Sequence, residues 1–570
     1  MNTFEKTLKD SSLLLMAFVT LNHLLVLLSF ATIKGLLPYT FPLSFILPAL
    51  LLFLIVKHKS LKENISIFTV SLGVIVFSLL IASFYFDLSW DGQWYHQSAI
   101  YHMVSDWNPL KEPIRDFEIH NSSSICHFPK GSWYFAASVY SFTGNFEAGK
   151  GLNIIVPFIA LFYIFASLRE LKLSFSKSLV ISVIVILNPV VWCEITSYLV
   201  DGLLILYISI YLTAAILWIK KQDNINLLMA AMTISSLVNV KFTGLVFVCT
   251  LALFLFIYLL VVNRKHWFKF AYLHAIILAG SLLITGYNPY MTNYKERNHP
   301  LYPIMGTEEY PSVFETTGRD DNELYETPHN MMGKNLLYRM FYATFGRPDN
   351  APYYKKKDVS LMWPFMSNTS DWEAYYFHEV RVSGFGPYFS ATIILALALS
   401  VTLLLRDKKN RLKLLIAAFA VLSTLMFSRH LWWPRFGPQM WLLPMIPLLF
   451  SFFNSNRTKT KYLSYSVAAL LLINGVIVMW VHMGWETRSS FSLREQLNEL
   501  KTNNTSIEID YGWFGKALEE RLDLWQINYE PIPGKEIKQG PHKKMISVVE
   551  GYPNMIIYRE KQDETTAKAD

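Results

Sequence analysis

Apolar residues run in long stretches at 11–33, 38–56, 65–86, 151–168, 178–193, 198–219, 226–239, 242–262, 268–288, 387–405, 412–428, 438–453 and 462–482. A helix needs about 20 apolar residues to cross a bilayer, so the pattern predicts an all-α polytopic membrane protein with about 13 transmembrane helices. The short polar segments between these stretches set an orientation, because basic loops collect on the cytoplasmic side. The N-terminal MNTFEKTLKD, KHKSLK (57–62), residues 169–177, KKQ (220–222), RKHWFK (264–269), RDKKNRLK (406–413) and NRTKTK (456–461) all fall on one side. That result requires the apolar region 226–262 to be split at Asn239 and Lys241 into a hairpin. The long polar segments 87–150, 289–386 and 483–570 then all face outward.

Three units are expected: two helices in 1–64, a transmembrane module over 65–482 with outer loops 87–150 and 289–386, and an outer C-terminal domain over 483–570. The last alternates short apolar clusters, IEIDYGWF and KMISVV, with charged turns, which predicts a small α/β domain. In the first loop, KGSWYFAASVYSFTG (130–144) is too short to span and predicts an interfacial helix. A second is predicted over 91–104, with Trp90, Trp94, Tyr101 and Val104 on one side and Asp91, Tyr95, Ser98 and His102 on another. In the second loop, Pro289, Pro300 and Pro303 predict a rigid extended path over 288–306.

Composition agrees with a membrane protein: 52% of residues are hydrophobic and only 16% charged, where soluble domains carry about 25%. The net charge of +8, from 51 basic and 43 acidic residues, is explained by the basic cytoplasmic loops and gives no case for nucleic acid. Cys126, Cys193 and Cys249 are too few and scattered for a disulfide framework or a sulfur-ligated metal. The first apolar run is longer than a signal-peptide core and lacks a small-residue cleavage site, so it is expected to be retained.

Candidate chemistry collects at the outer ends of the spans. Asp87 and Asp91 follow the third span, and Gly92 allows close approach of a backbone or ligand. Each Asp has an ordinary reading as a helix cap. Asp91 has the stronger functional claim because it shares a helix face with Tyr95 and His102; His96 lies beside them. Asp201 enters a later span in YLVDGLL, with Glu194 nearby. An acid at a membrane boundary is costly enough to suggest function. Outer cations are Lys241, Lys295, Arg297, Arg381, Arg429 and Arg435, with His299 in HPLYP. Arg435 follows WWP and opens a span, which puts a guanidinium fork where it can bind a phosphate in bidentate fashion. No Gly-rich nucleotide loop is present.

The chain resembles the GT-C superfamily of membrane glycosyltransferases, in particular its protein mannosyltransferase and aminoarabinose transferase branch. The likeness rests on WDGQWYHQSAI, on two predicted interfacial helices in the first outer loop, on YLVDGLL, and on NPYMTN followed by HPLYP; it covers about 65–480. It implies an inverting transfer of one sugar from a polyprenyl-phosphate donor to a lipid, glycan or protein acceptor, at the outer face of a bacterial cytoplasmic membrane. It also implies that Asp91 is the catalytic carboxylate. Donor or acceptor contacts are expected from Asp87, Tyr95, His96, Asp201, Lys241, Arg297, His299 and Arg435. Branch members often carry a second acid directly after the first, where this chain has Gly92. No cofactor or metal ligand is therefore assigned, and a divalent metal stays open. Two other readings remain: a transporter or lipid flippase, which predicts repeated halves and polar midplane helices, and a glycan polymerase or ligase using a lipid diphosphate donor.

Overall fold

A computed structural model describes all residues except 34, 56–59, 106, 115–121, 263, 314–326, 351–357, 380, 429, 455–457, 504–505, 513, 546–555 and 562–570. Arg429, half of KHKSLK, most of KMISVV and part of NRTKTK lie outside the described residues. Each of the predicted spans contains a helix. Among the described residues, 8 helices are long and apolar enough to cross a membrane: Thr3–Thr32, Leu61–Phe84, Glu147–Glu170, Asp201–Lys221, Phe242–Val261, Trp267–Thr285, Phe389–Arg406 and Thr460–Thr502. The chain is a multi-pass, predominantly helical membrane protein.

Local sequence sets several helix ends. Asn2 with Glu5 and Ser60 with Glu63 form capping boxes, so the first N–H groups of two spans are satisfied before the apolar run begins. Lys220 and Lys221 close the last turn of Asp201–Lys221, where cations suit the negative helix end. The predicted hairpin at 226–262 is present as Asn224–Val240 and Phe242–Val261, separated only by Lys241 in an extended conformation.

Asp201–Lys221 lies at the centre of the bundle, buried over most of its length, and packs against Asn224–Val240 and Leu152–Glu170. Outer helices instead expose Leu80, Leu253, Ile284, Leu405 and Trp480, the apolar belt expected of a lipid-facing surface. Between helices, polar side chains act as local glue. Asn22 donates to Ser44 and Ser138, and Asn239 donates to Thr285, which also pairs with Ser235.

Three expectations are corrected. Trp90 and Trp94 do not lie free at a membrane surface: both pack into the core of the C-terminal segment, and the Trp90 ring meets Phe514 edge-on at 5.0 Å. Gly131–Thr143 is a helix as predicted, but most of its residues are buried against Thr3–Thr32 and Gln97–Ser105, so Trp133, Tyr134 and Phe135 face protein while Phe142 stays exposed. The segment 288–306 is not uniformly extended. A short helix, Thr292–Arg297, fits between Pro289 and Pro300, because a proline just ahead of a helix removes no needed donor; Asn298, at φ 56°, ends it.

The C-terminal segment forms a four-stranded sheet of β1 (Ile507–Asp510), β2 (Tyr529–Pro531), β3 (Lys543–Lys544) and β4 (Ile557–Glu560), in the order β2-β1-β4-β3. β1 is parallel to β2 and antiparallel to β4. The helix Thr458–Thr502 runs unbroken through residue 483, so the last span continues into this unit as one rod. Its Leu493, Leu497 and Leu500 share a core with Ile507, Leu518 and Leu522. The unit is bolted to the loop 87–150: buried Arg521 donates to the Asp87 carbonyl at 3.3 Å and approaches Glu147 at 3.8 Å.

Candidate functional site

The local chain path delivers one charged group from each of several span ends to a single place. Asp91 precedes the π-helical turn Gly92–His96 near the start of the loop 87–150. Asp201 opens its helix, held by the loop before it: the Asn153 amide lies 2.8–3.0 Å from the carbonyls of Glu194, Ser197 and Leu199. Lys241 is the joint of the hairpin. Arg435 sits in the turn Pro434–Phe436, whose position is set by two bonds to the preceding half of the bundle, Asn188 to the Pro438 carbonyl and Trp441 to the Ile184 carbonyl.

At the centre is the Arg435 guanidinium, with three carboxylates around it. Nη2 is 2.7 Å from Asp91 Oδ2, Nη1 is 2.5 Å from Glu379 Oε1, and Nε is 3.7 Å from Asp201 Oδ2. The other Asp201 oxygen pairs with Lys241. The rings of Trp433 and Phe436 lie 5.0 and 5.3 Å from the guanidinium carbon, and Phe436 also lies under the Lys241 ammonium. Aromatic faces of this kind hold cations in place at a partly dry site. Burial pushes the Glu379 carboxyl up to about 7 against the pull of Arg435, with Asp91 and Asp201 adding to the rise. Glu194 completes the acidic group. Its Oε2 accepts from Gly202 N–H at 2.7 Å, and burial with the charge of Asp201 holds its pKa well above the ordinary carboxylate range.

Tyr95 stacks on His96 with ring centres 4.3 Å apart. Burial first, and then the neighbouring Asp91 charge, push its phenol well above its ordinary value, so it remains a neutral hydroxyl. His96 accepts from Trp133 at Nδ1 over 2.6 Å. Its other ring nitrogen therefore carries the hydrogen, and burial lowers the pKa to about 4.

Asp87 has a different job from Asp91. It is completely buried, and its oxygens accept from Ser89 N–H, Ser89 Oγ and Tyr198 N–H at 2.9, 2.7 and 2.9 Å. The protein itself uses this acceptor capacity, and Asp87 anchors the start of the loop to Ser89 and Tyr198. The close approach at Gly92 is explained by the same group. A Cβ there would lie 2.1 Å from Asp87 Oδ2 and 2.3 Å from Ser89 Oγ.

Arg297 and His299 make their own contacts within the second loop. Arg297 stacks over Tyr302 and Tyr310 at 5.6 and 5.0 Å, and His299 Nδ1 accepts from Leu301 N–H at 3.2 Å. Their contacts order the start of the second loop. NPYMTN ties that loop to the first: Asn293 bonds both His127 and the Tyr302 carbonyl, and Asn288 donates to the Pro109 carbonyl at 2.5 Å. Glu379 was not singled out from the sequence. Its only signal was a place two residues before Arg381, in a loop with many other charges. No protein-family model matches the chain, and no curated protein matches its sequence.

Proposed function

We propose that this protein is an inverting membrane glycosyltransferase that moves a sugar from a polyprenyl-phosphate donor to a hydroxyl of a lipid, glycan or protein at the outer face of the membrane, with about 13 crossings placing the site there. The observation that carries the reading is the convergence of Asp91, Asp201 and Glu379 on Arg435, with Lys241 alongside. All five groups lie at span ends or in outer loops and not within helices at mid-depth. This favours chemistry at one surface over carriage through the bilayer.

In the proposed reaction, the donor phosphate takes the place of carboxylate oxygens on the Arg435 fork, which leaves the Asp91 lone pairs available to the acceptor. The acceptor oxygen attacks the anomeric carbon while its proton passes to Asp91. The bond from that carbon to the phosphate oxygen breaks, its electron pair leaves with the polyprenyl phosphate, and Arg435 and Lys241 stabilise the growing charge. Tyr95, as a neutral hydroxyl, and Asp201 orient sugar or acceptor hydroxyls.

The test is sugar transfer by purified protein from a radiolabelled polyprenyl-phosphate sugar. Loss of transfer in Asp91→Asn with donor binding retained is the expected result. Full activity in that variant would overturn the assignment. Turnover only with a lipid diphosphate donor would favour a polymerase or ligase.

A further inference from the structure

A second cluster lies beside the first and takes no part in the proposed transfer. His482 and Glu486 are one helical turn apart on one face of Thr458–Thr502, and His378 meets them from the loop ahead of Phe389–Arg406. All three are fully or almost fully buried. Their potential ligand atoms lie within 4.8 Å of one another. From these positions we infer that His378, His482 and Glu486 form a binding site for a zinc-class divalent transition metal.

The hydrogen bonding around the cluster points the same way. His482 Nδ1 is 3.0 Å from the Tyr376 carbonyl. A carbonyl only accepts, so Nδ1 carries the hydrogen and Nε2 presents its lone pair to the cluster. That Nε2 has no hydrogen-bond partner although it is buried. Neither carboxylate oxygen of Glu486 has an aligned hydrogen bond, and His378 Nδ1 lacks one as well. His378 Nε2 and Glu486 make an ion-pair contact, which accounts for one pair of atoms and leaves the remaining lone pairs facing a dry interior. A histidine whose far nitrogen is held by a backbone carbonyl is the usual outer support of a metal ligand. Two imidazoles and one carboxylate suit zinc, while magnesium and calcium prefer all-oxygen sets. Ligand atoms around a tetrahedral ion at about 2.0 Å stand about 3.3 Å apart, so small side-chain rotations close the present spacing.

The metal has a structural consequence for the neighbouring site. His378 and Glu379 are adjacent, one in the metal cluster and the other on Arg435. The Tyr376 carbonyl that orients His482 belongs to the same strap. Metal binding therefore fastens the strap to the last span and fixes the direction from which Glu379 meets Arg435.

Full-length protein, purified without a histidine tag and stripped with chelator, is titrated with zinc and analysed by mass spectrometry for bound metal. About one zinc per chain is expected, with a loss of tenfold or more in His482→Ala and in Glu486→Gln. His329→Ala, which removes the exposed pair of His329 with Asp358, is expected to keep its zinc. Should the site variants fail to fold, cobalt added to the unaltered chain decides the matter. A four-coordinate absorption band displaced by equimolar zinc supports the site. No bound zinc and no such band, or zinc retained in folded His482→Ala and Glu486→Gln, would overturn it.

Discussion

Arg435 Nη2 stands 2.7 Å from Asp91 Oδ2, a contact between residues 344 positions apart in the chain. It joins the turn before a late span to the start of the loop 87–150, and it pairs the proposed base with the proposed phosphate ligand. In this arrangement the proposed donor would have to compete with protein carboxylates for the guanidinium. Removing either partner therefore has two separable effects, on chemistry and on stability.

Asp91→Asn keeps side-chain size and most hydrogen bonding but removes the proton acceptor. Turnover is expected to fall by about a hundredfold or more, with donor affinity kept or improved because a competitor for Arg435 has lost its charge. Asp87→Asn is expected to act mainly on thermal stability in detergent, since its oxygens face Ser89 and Tyr198. Parallel measurements of turnover, lipid binding and melting temperature check this division.

Arg435→Ala leaves three carboxylates around an unfilled centre, and breaking a buried ion-pair set in this way costs about 3–5 kcal/mol. Arg435→Lys restores a charge without the planar fork, so it is expected to recover much of the melting temperature but little donor affinity. Equal recovery of both would count against a bidentate phosphate role.

Donor binding is expected to weaken as pH rises through about 7, where Glu379 becomes a charged competitor for Arg435. A phosphodiester donor holds its single charge across this range. Glu379→Gln is expected to flatten the profile, as read by lipid binding between pH 5.5 and 8.5, about 1.5 units on either side of the midpoint. Linkage carries a matching sign. The folded-state pKa lies above the ordinary 4.5, so the native chain holds the extra proton and the Glu379 contribution to stability declines between about 4.5 and about 7.

Gly92→Ala places a methyl group 2.1 Å from Asp87 Oδ2, a separation that requires the carboxylate to leave its Ser89 and Tyr198 donors. A loss of about 2 kcal/mol or more is expected from the unsatisfied buried groups. Ala at Gly484, where a Cβ meets nothing within 4 Å, serves as the control in a thermal-melting comparison.

After replacement of Cys126, Cys193 and Cys249, a single cysteine at exposed Lys543 is expected to react with an impermeant thiol reagent on intact cells. One at Lys408, in the basic loop 406–413, is expected to be protected. The reverse pattern would invert the orientation on which the outer-face reading depends.

The helical, membrane-spanning character of the chain was legible in its sequence, because apolar length and loop charge are one-dimensional properties. The split at Lys241 followed from loop charge alone. Asp91, Asp201, Lys241 and Arg435 were also visible, each as a charge at the end of an apolar run, where placing one is costly. Tertiary structure decided which charges meet. Asp87 and Asp91 look alike in sequence, yet Asp87 turns inward to backbone and hydroxyl donors while Asp91 reaches Arg435. Trp90 and Trp94 suit a lipid interface or a protein core equally well, and only the docked C-terminal unit chose the latter. Glu379 and His378 lie in a loop whose charges would all be taken for solvated ones until packing removed the water. Their partners Arg435, His482 and Glu486 are distant in sequence, and no periodicity of the chain encodes a contact made by the packing of separate helices.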